Sequence, residues 1–197
     1  TGKLLWKIPN AGGDGSPICW DKDGKKYIIL KTKKDTLCAD LKTGKVLWKI
    51  YESGYSTPVI YKDRMFIACH NRKLAAYRLS EEKPEKLWTV RAGGGYCAAS
   101  PIVYKNRIYL FGPKGNAVCA DIDSGKLIWK HKIKGAVCSS PILVQGKIIH
   151  AGQIFSISDK GCTVIKNGLN QLSCSSPAFA DNKLFLRTSS GIICYKF

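Results

Sequence analysis

The groups in this chain that could ligate a metal, attack an electrophile or move a proton are nine cysteines, three histidines and fourteen acidic residues. Cys38, Cys119 and Cys194 recur at one position of a repeat about forty residues long. Repeat-equivalent positions stand a whole unit apart, well beyond the roughly 7 Å at which two Cα atoms can be bridged. These three therefore read as small buried hydrophobes. Cys138 and Cys174 each stand three residues before a proline and, with Cys97, could face the mouth of a central channel. No Cys-x-x-Cys spacing supports a zinc or redox site. His70, His131 and His150 fall in different columns and read as solvated or partly buried singletons. Asp40, Asp121 and Asp123 belong to turns, which leaves no cluster of oxygen ligands for a hard cation. The Gly93 to Gly95 run is not placed between a strand and a helix, so it is no phosphate cradle. No catalytic residue, metal or cofactor is expected.

Charge is the other chemical feature. Thirty-two Lys and Arg against fourteen Asp and Glu give a net charge of +18, which favours anionic partners. No apolar run approaches the eighteen or more residues of a membrane-spanning helix, and the opening TGKLLWKI lacks the regions of a signal peptide. The start within a repeat, without Met, is the expectation of a chain preceded by further sequence.

The elements that hold these groups are read from punctuation. Ser16-Pro17, Thr57-Pro58, Ser100-Pro101, Ser140-Pro141 and Ser176-Pro177 each open a short apolar run, with prolines 41, 43, 40 and 36 residues apart. Trp6, Trp48, Trp88 and Trp129 are 42, 40 and 41 apart. In the second unit STPVIY, MFIACH, LAAYRL and EKLWTV are separated by short polar turns. Runs this short, rich in β-branched and aromatic residues, are strands. Four strands per unit at this period predict an all-β propeller of four-stranded antiparallel blades. Gly44 and Gly125 supply the positive φ of the last hairpin, and Asp40 and Asp121 can accept backbone N–H bonds in the same turns. Each outer-strand Trp is expected to bury roughly 150–250 Å² against a neighbouring blade.

The runs Ala-Asp-Leu-Lys-Thr-Gly-Lys-Val-Leu-Trp (39–48) and Ala-Asp-Ile-Asp-Ser-Gly-Lys-Leu-Ile-Trp (120–129) resemble the tryptophan-docking motif of the pyrroloquinoline-quinone-type propellers. The motif is partial at 1–6, degenerate at 76–88 and without Trp near 162–168. The resemblance implies a docking set of Trp6, Asp40, Gly44, Trp48, Trp88, Asp121, Gly125 and Trp129. That family includes quinoprotein alcohol dehydrogenases, the propeller lipoprotein of the outer-membrane assembly machine and many exported bacterial proteins. The enzymes need a catalytic Asp, calcium-holding Glu and Asn side chains and commonly adjacent cysteines, and no two cysteines are adjacent here. The resemblance thus implies a non-enzymatic, exported scaffold for protein or ligand binding. Part of a quinone-dependent oxidoreductase and a polyanion-binding module are the alternatives.

Material for about five blades is present, at 9–51, 52–91, 92–133, 134–168 and 169–197, with 1–8 as an outer strand. The favoured expectation is the C-terminal part of a seven- or eight-bladed propeller, open to self-association if it is a fragment. The alternative is a closed five-bladed ring. Turns joining strands one to two and three to four share one face, whose candidate basic residues are Lys42, Lys45, Lys62, Arg64, Lys105 and Arg107. Tyr55, Tyr96, Cys138 and Cys174 are candidate ligand-facing loop residues on the other, which also carries Lys31 to Lys34. The expected partner is a protein or an anionic ligand such as a polysaccharide or lipid headgroup. Nucleic acid ranks last, because aromatics do not interleave with the basic turns.

Because most cysteines sit in strand cores at equivalent columns, thiol titration in denaturant without reductant should find most of the nine free. Four bridges would contradict this and place the chain in an oxidising compartment.

Overall fold

A computed structural model describes residues 2–13, 15–70, 73–92, 99–112, 115–134, 139–169, 171 and 175–197. Its apolar runs form nineteen strands in five antiparallel sheets. Blade 1 holds β1 (Ile18–Lys22), β2 (Lys25–Lys31), β3 (Thr36–Asp40) and β4 (Val46–Ile50), and blade 2 holds β5 (Val59–Tyr61), β6 (Arg64–Cys69), β7 (Lys73–Arg78) and β8 (Glu85–Arg91). Blade 3 holds β9 (Ile102–Tyr104), β10 (Arg107–Gly112), β11 (Asn116–Asp121) and β12 (Leu127–Lys132), and blade 4 holds β13 (Ile142–Val144), β14 (Lys147–His150), β15 (Gln153–Ser158) and β16 (Gly161–Lys166). Blade 5 has three strands, β17 (Ala178–Ala180), β18 (Lys183–Thr188) and β19 (Gly191–Lys196).

Hairpin chemistry sets the meander. The β1–β2, β9–β10, β13–β14 and β17–β18 turns each put two residues at positive φ, for example Asp23 (52°) and Gly24 (79°), or Asp181 (49°) and Asn182 (55°). That pair of conformations is the two-residue loop whose twist matches the flanking strands.

The core is four layers, one between each pair of consecutive blades. Alternation within a single strand feeds two of them: Met65, Ile67 and Cys69 of β6 pack with blade 1, and Phe66 and Ala68 with blade 3. A strand buried on both sides must be apolar throughout, which is why its burial is continuous after Arg64. Hydroxyls tie the inner edges together. The backbone N–H of Ser16 donates to Thr57 Oγ1 (3.0 Å), that of Thr57 to Ser100 Oγ, that of Ser100 to Ser140 Oγ and that of Ser140 to Ser176 Oγ (each 3.1 Å). The residue before each of the five strand-opening prolines is thus a link in one belt, with the Thr57, Ser100, Ser140 and Ser176 hydroxyls as its acceptors.

At the outer edge four of the five tryptophans, Trp6, Trp48, Trp88 and Trp129, each leave their own unit and dock on the next blade. Trp6 Nε1 donates to Leu41 O (3.0 Å), Trp48 to Ser80 O (2.9 Å), Trp88 to Ile122 O (3.2 Å) and Trp129 to Ser158 O (3.0 Å). In blades 1 and 3 the ring lies on the turn glycine: a Cβ on Gly44 would stand 2.7 Å from Trp6, and one on Gly125 would stand 2.5 Å from Trp88. Asp40 Oδ1 accepts from the N–H groups of Lys42 (3.0 Å) and Thr43 (2.7 Å), and Asp121 Oδ1 from those of Asp123 (3.2 Å) and Ser124 (2.9 Å). Blades 2 and 4 lack that Asp, and Ser80 and Ser158 head their turns instead, each hydroxyl accepting a backbone N–H two residues on (3.2 Å).

One expectation is corrected. Residues 2–8 form no strand, although Trp6 occupies a docking position on blade 1. An outer strand needs the third strand of its own blade to pair with, and among the described residues none lies beside them; β19 likewise has no fourth strand.

Gly125→Ala combines a strained φ of 70° with overlap on Trp88, whereas Gly24→Ala at φ 79° meets nothing within 4 Å. Urea denaturation should show a loss of about 3 kcal/mol for the first and about 1 kcal/mol for the second. Equal losses would mean that ring contact at the turn contributes nothing.

Candidate binding surface

The turns joining first to second and third to fourth strands gather on one face. Lys42, Lys45, Lys62 and Lys105 are exposed there. Arg64 and Arg107 are half-buried and occupied: Arg64 pairs with Asp123 (2.5 Å), and Arg107 with Asp121 (3.2 Å) and Asp159 (3.5 Å). Lys25 meets Glu81 at 3.6 Å, so three times a basic residue of one blade reaches an acid in the outer turn of the next. Among the six basic candidates, Lys42, Lys45, Lys62 and Lys105 take part in none of the described ion pairs, although Lys42 lies in the field of the Asp40 carboxylate. Lys62 and Lys105 lie over the rings of Tyr61 (5.5 Å) and Tyr104 (5.4 Å), which hold their ammonium groups at the rim. Hydrogen bonds from Thr43 hold the Asp40 carboxyl below its ordinary pKa, and those from Ser124 do the same for Asp121.

On the opposite face Tyr55 is half-buried and meets His70 edge-on at 4.8 Å. Tyr96, Cys138 and Cys174, with Cys97, lie outside the described residues. Lys31, read from the sequence as part of a basic turn, is fully buried. Its ammonium enters the layer between blades 1 and 2, donating to Ser56 Oγ (3.2 Å) and to the Ala68 carbonyl. Gly54 makes this possible, since a Cβ there would stand 2.7 Å from Lys31 Nζ. The ammonium is satisfied by hydrogen bonds, which is the condition for burying it.

The six described cysteines carry free thiols. Burial pushes the Cys38 thiol up to about 12 and Cys119 up to about 11, which removes thiolate character at neutral pH. No group of three or more His, Cys, Asp and Glu among the described residues could hold a metal ion. The histidines differ from one another: His131 is exposed and packs on Trp129 (5.3 Å), His70 is half-buried, and His150 is completely buried.

Meandering four-stranded blades, joined by tryptophans that each dock on the following blade, define a pyrroloquinoline-quinone-type β-propeller. The family model described as outer membrane protein assembly factor BamB matches residues 1–196. The chain belongs to that family. Its fold is that of the crystal structure of BamB from Moraxella catarrhalis, at a TM-score of 0.67 and 13% identity over 94% of this chain and 61% of that one. The chain therefore spans about 61% of that protein's length. A europium-containing methanol dehydrogenase is matched at a TM-score of 0.48 and 14% identity, over 58% of this chain and 24% of that one. No curated protein matches the sequence.

His150 sits at the end of β14 beside Phe111 (5.3 Å), and neither ring nitrogen has a hydrogen-bond partner. Burial lowers its pKa from 6.5 to about 4. The unfolded chain therefore binds a proton near pH 6.5 that the folded chain takes up only near pH 4. The stability this provides is complete above pH 6.5 and is lost progressively as pH falls toward 4. Between pH 7.5 and 5, urea denaturation should show the parent losing about 2 kcal/mol more than His150→Phe. Parallel losses would show that His150 does not carry this pH dependence.

Proposed function

We propose that this chain is a non-enzymatic propeller scaffold of the cell envelope that binds proteins of an outer-membrane assembly machinery. The observation that carries the reading is the family match over residues 1–196, joined to a fold in which the tryptophans and acids of the repeated motif are consumed in holding blades together. A quinone with its calcium ion does not fit the described residues. Asp40 and Asp121 are spent on turn N–H groups, Asp123 on Arg64, and no acidic cluster remains to supply oxygen ligands. The exposed Lys42, Lys45, Lys62 and Lys105 on one face favour a second reading, a polyanion-binding surface.

Chemical crosslinking in the envelope followed by affinity purification should enrich outer-membrane assembly proteins with this chain. Added pyrroloquinoline quinone, calcium and an alcohol should give no dye reduction. Turnover by this chain would overturn the scaffold reading. Enrichment of acidic glycan or lipid without protein would replace it with the polyanion reading.

A further inference from the structure

The layer between blades 1 and 2 departs from the repeat at its outer end as well as at Lys31. Tyr77 stands where the equivalent strands carry Ala39 and Ala120, each being the residue at the bulge beside the tryptophan pair. Its hydroxyl donates to Glu52 Oε1 (2.7 Å), and Lys86 Nζ meets the same oxygen at 2.9 Å while lying over the Tyr77 ring at 5.4 Å. The Glu52 side chain is only 14% exposed. Burial pushes its pKa up, but the bonds from Tyr77 and Lys86 outweigh this and leave the carboxyl below its ordinary value. Thr36 Oγ1 fixes the backbone by donating to Glu52 O at 2.6 Å. A charged, satisfied triad of this kind forms a rigid floor.

Above it opens a cleft of about 680 Å³ between the outer strands β4 and β8. Both acids at the cleft are matched, Glu52 by Lys86 and Glu85 by Arg78 at 2.6 Å. Lys49 and Lys83, which also line it, take part in none of the described ion pairs. Tyr51 lies at the same cleft and is 97% exposed, the largest exposure of any large hydrophobic residue described. β4 is the last strand of its sheet, so its outer edge offers unpaired backbone groups to an added strand.

We propose that this cleft, lined by Lys49, Tyr51, Glu52, Tyr77, Lys83 and Lys86, is a docking site for an acidic, extended segment of a partner protein. The segment lies along the edge of β4, its carboxylates meet Lys49 and Lys83, and an apolar side chain packs on Tyr51. Two unmatched ammonium groups set the sign of the partner, and the open strand edge sets its extended form. The proposal rests on the scaffold reading and names the chemistry of one partner contact.

Fluorescence anisotropy of a labelled peptide with alternating Glu and Val, against its Lys and Val counterpart, tests it with this chain at low and physiological salt. The acidic peptide should bind and the basic one should not. Lys49→Glu with Lys83→Glu should weaken binding about tenfold or more, and Tyr51→Ala about fivefold. The same charge reversal at Lys130 and Lys132, on the outer strand of blade 3, should change it less than about twofold. Equal loss from both pairs would overturn the proposal in favour of net charge. So would binding of heparin or anionic vesicles, but not of the peptide, through Lys49 and Lys83. Circular dichroism and urea midpoints check that each variant folds. Absence of peptide binding alongside retained crosslinks to assembly proteins would remove the cleft and leave the scaffold reading standing.

Discussion

An indole N–H reaching a backbone carbonyl in the following blade fixes how each of blades 1 to 3 meets the next. Three such contacts, from Trp48, Trp88 and Trp129 at 2.9 to 3.2 Å, join units that otherwise share apolar layers without direction, and a fourth, from Trp6 at 3.0 Å, seats the N-terminal segment on blade 1. Apolar burial alone would let two sheets slide or twist against each other, because the hydrophobic effect is non-directional. The indole hydrogen bond removes that freedom at the rim, and the Ser and Thr belt removes it at the inner edge. The turn beneath the ring needs a glycine in blades 1 and 3, since any Cβ would enter the indole. The Asp-headed turn is the rigid seat, and its carboxylate is held ionised by the bonds it accepts.

With the architecture fixed this way, individual layers can tolerate polar exceptions, and the layer between blades 1 and 2 carries the most. Lys31 near the inner edge and the Glu52, Tyr77 and Lys86 group near the rim are both built of satisfied charges. Breaking one member of such a group leaves a buried charge without its partner, so these contacts fix geometry more than they add stability. The layer between blades 3 and 4 carries a different exception in His150, whose nitrogens are unpartnered. It is neutral at physiological pH and packs as an aromatic residue against Phe111.

Prolines and tryptophans at a period near forty made the strand order and the blade count legible, because repetition reports a local rule obeyed several times. Turn chemistry was legible for the same reason: an Asp followed four residues later by Gly states a conformation. The direction of docking was not. The contiguous run at 39–48 reads as one unit, yet Gly44 receives Trp6 while Trp48 travels to Ser80. The hydroxyl before each proline was visible as a pattern, but its purpose as an acceptor for the preceding blade was not.

By itself the sequence determined an all-β repeat, its turns and the basic sign of its surface, since each depends on residue type and short spacing. Tertiary structure decided which charges are spent. Arg64 and Arg107, indistinguishable in sequence from the lysines beside them, are occupied by Asp123, Asp121 and Asp159, and Lys31 is buried. It also assembled Lys49, Tyr51 and Lys83 around one cleft from two blades. Coulombic partners are chosen by distance in space, falling off within about 8 to 10 Å in salt, and residues of neighbouring blades tens of positions apart come within that range only once the sheets are packed.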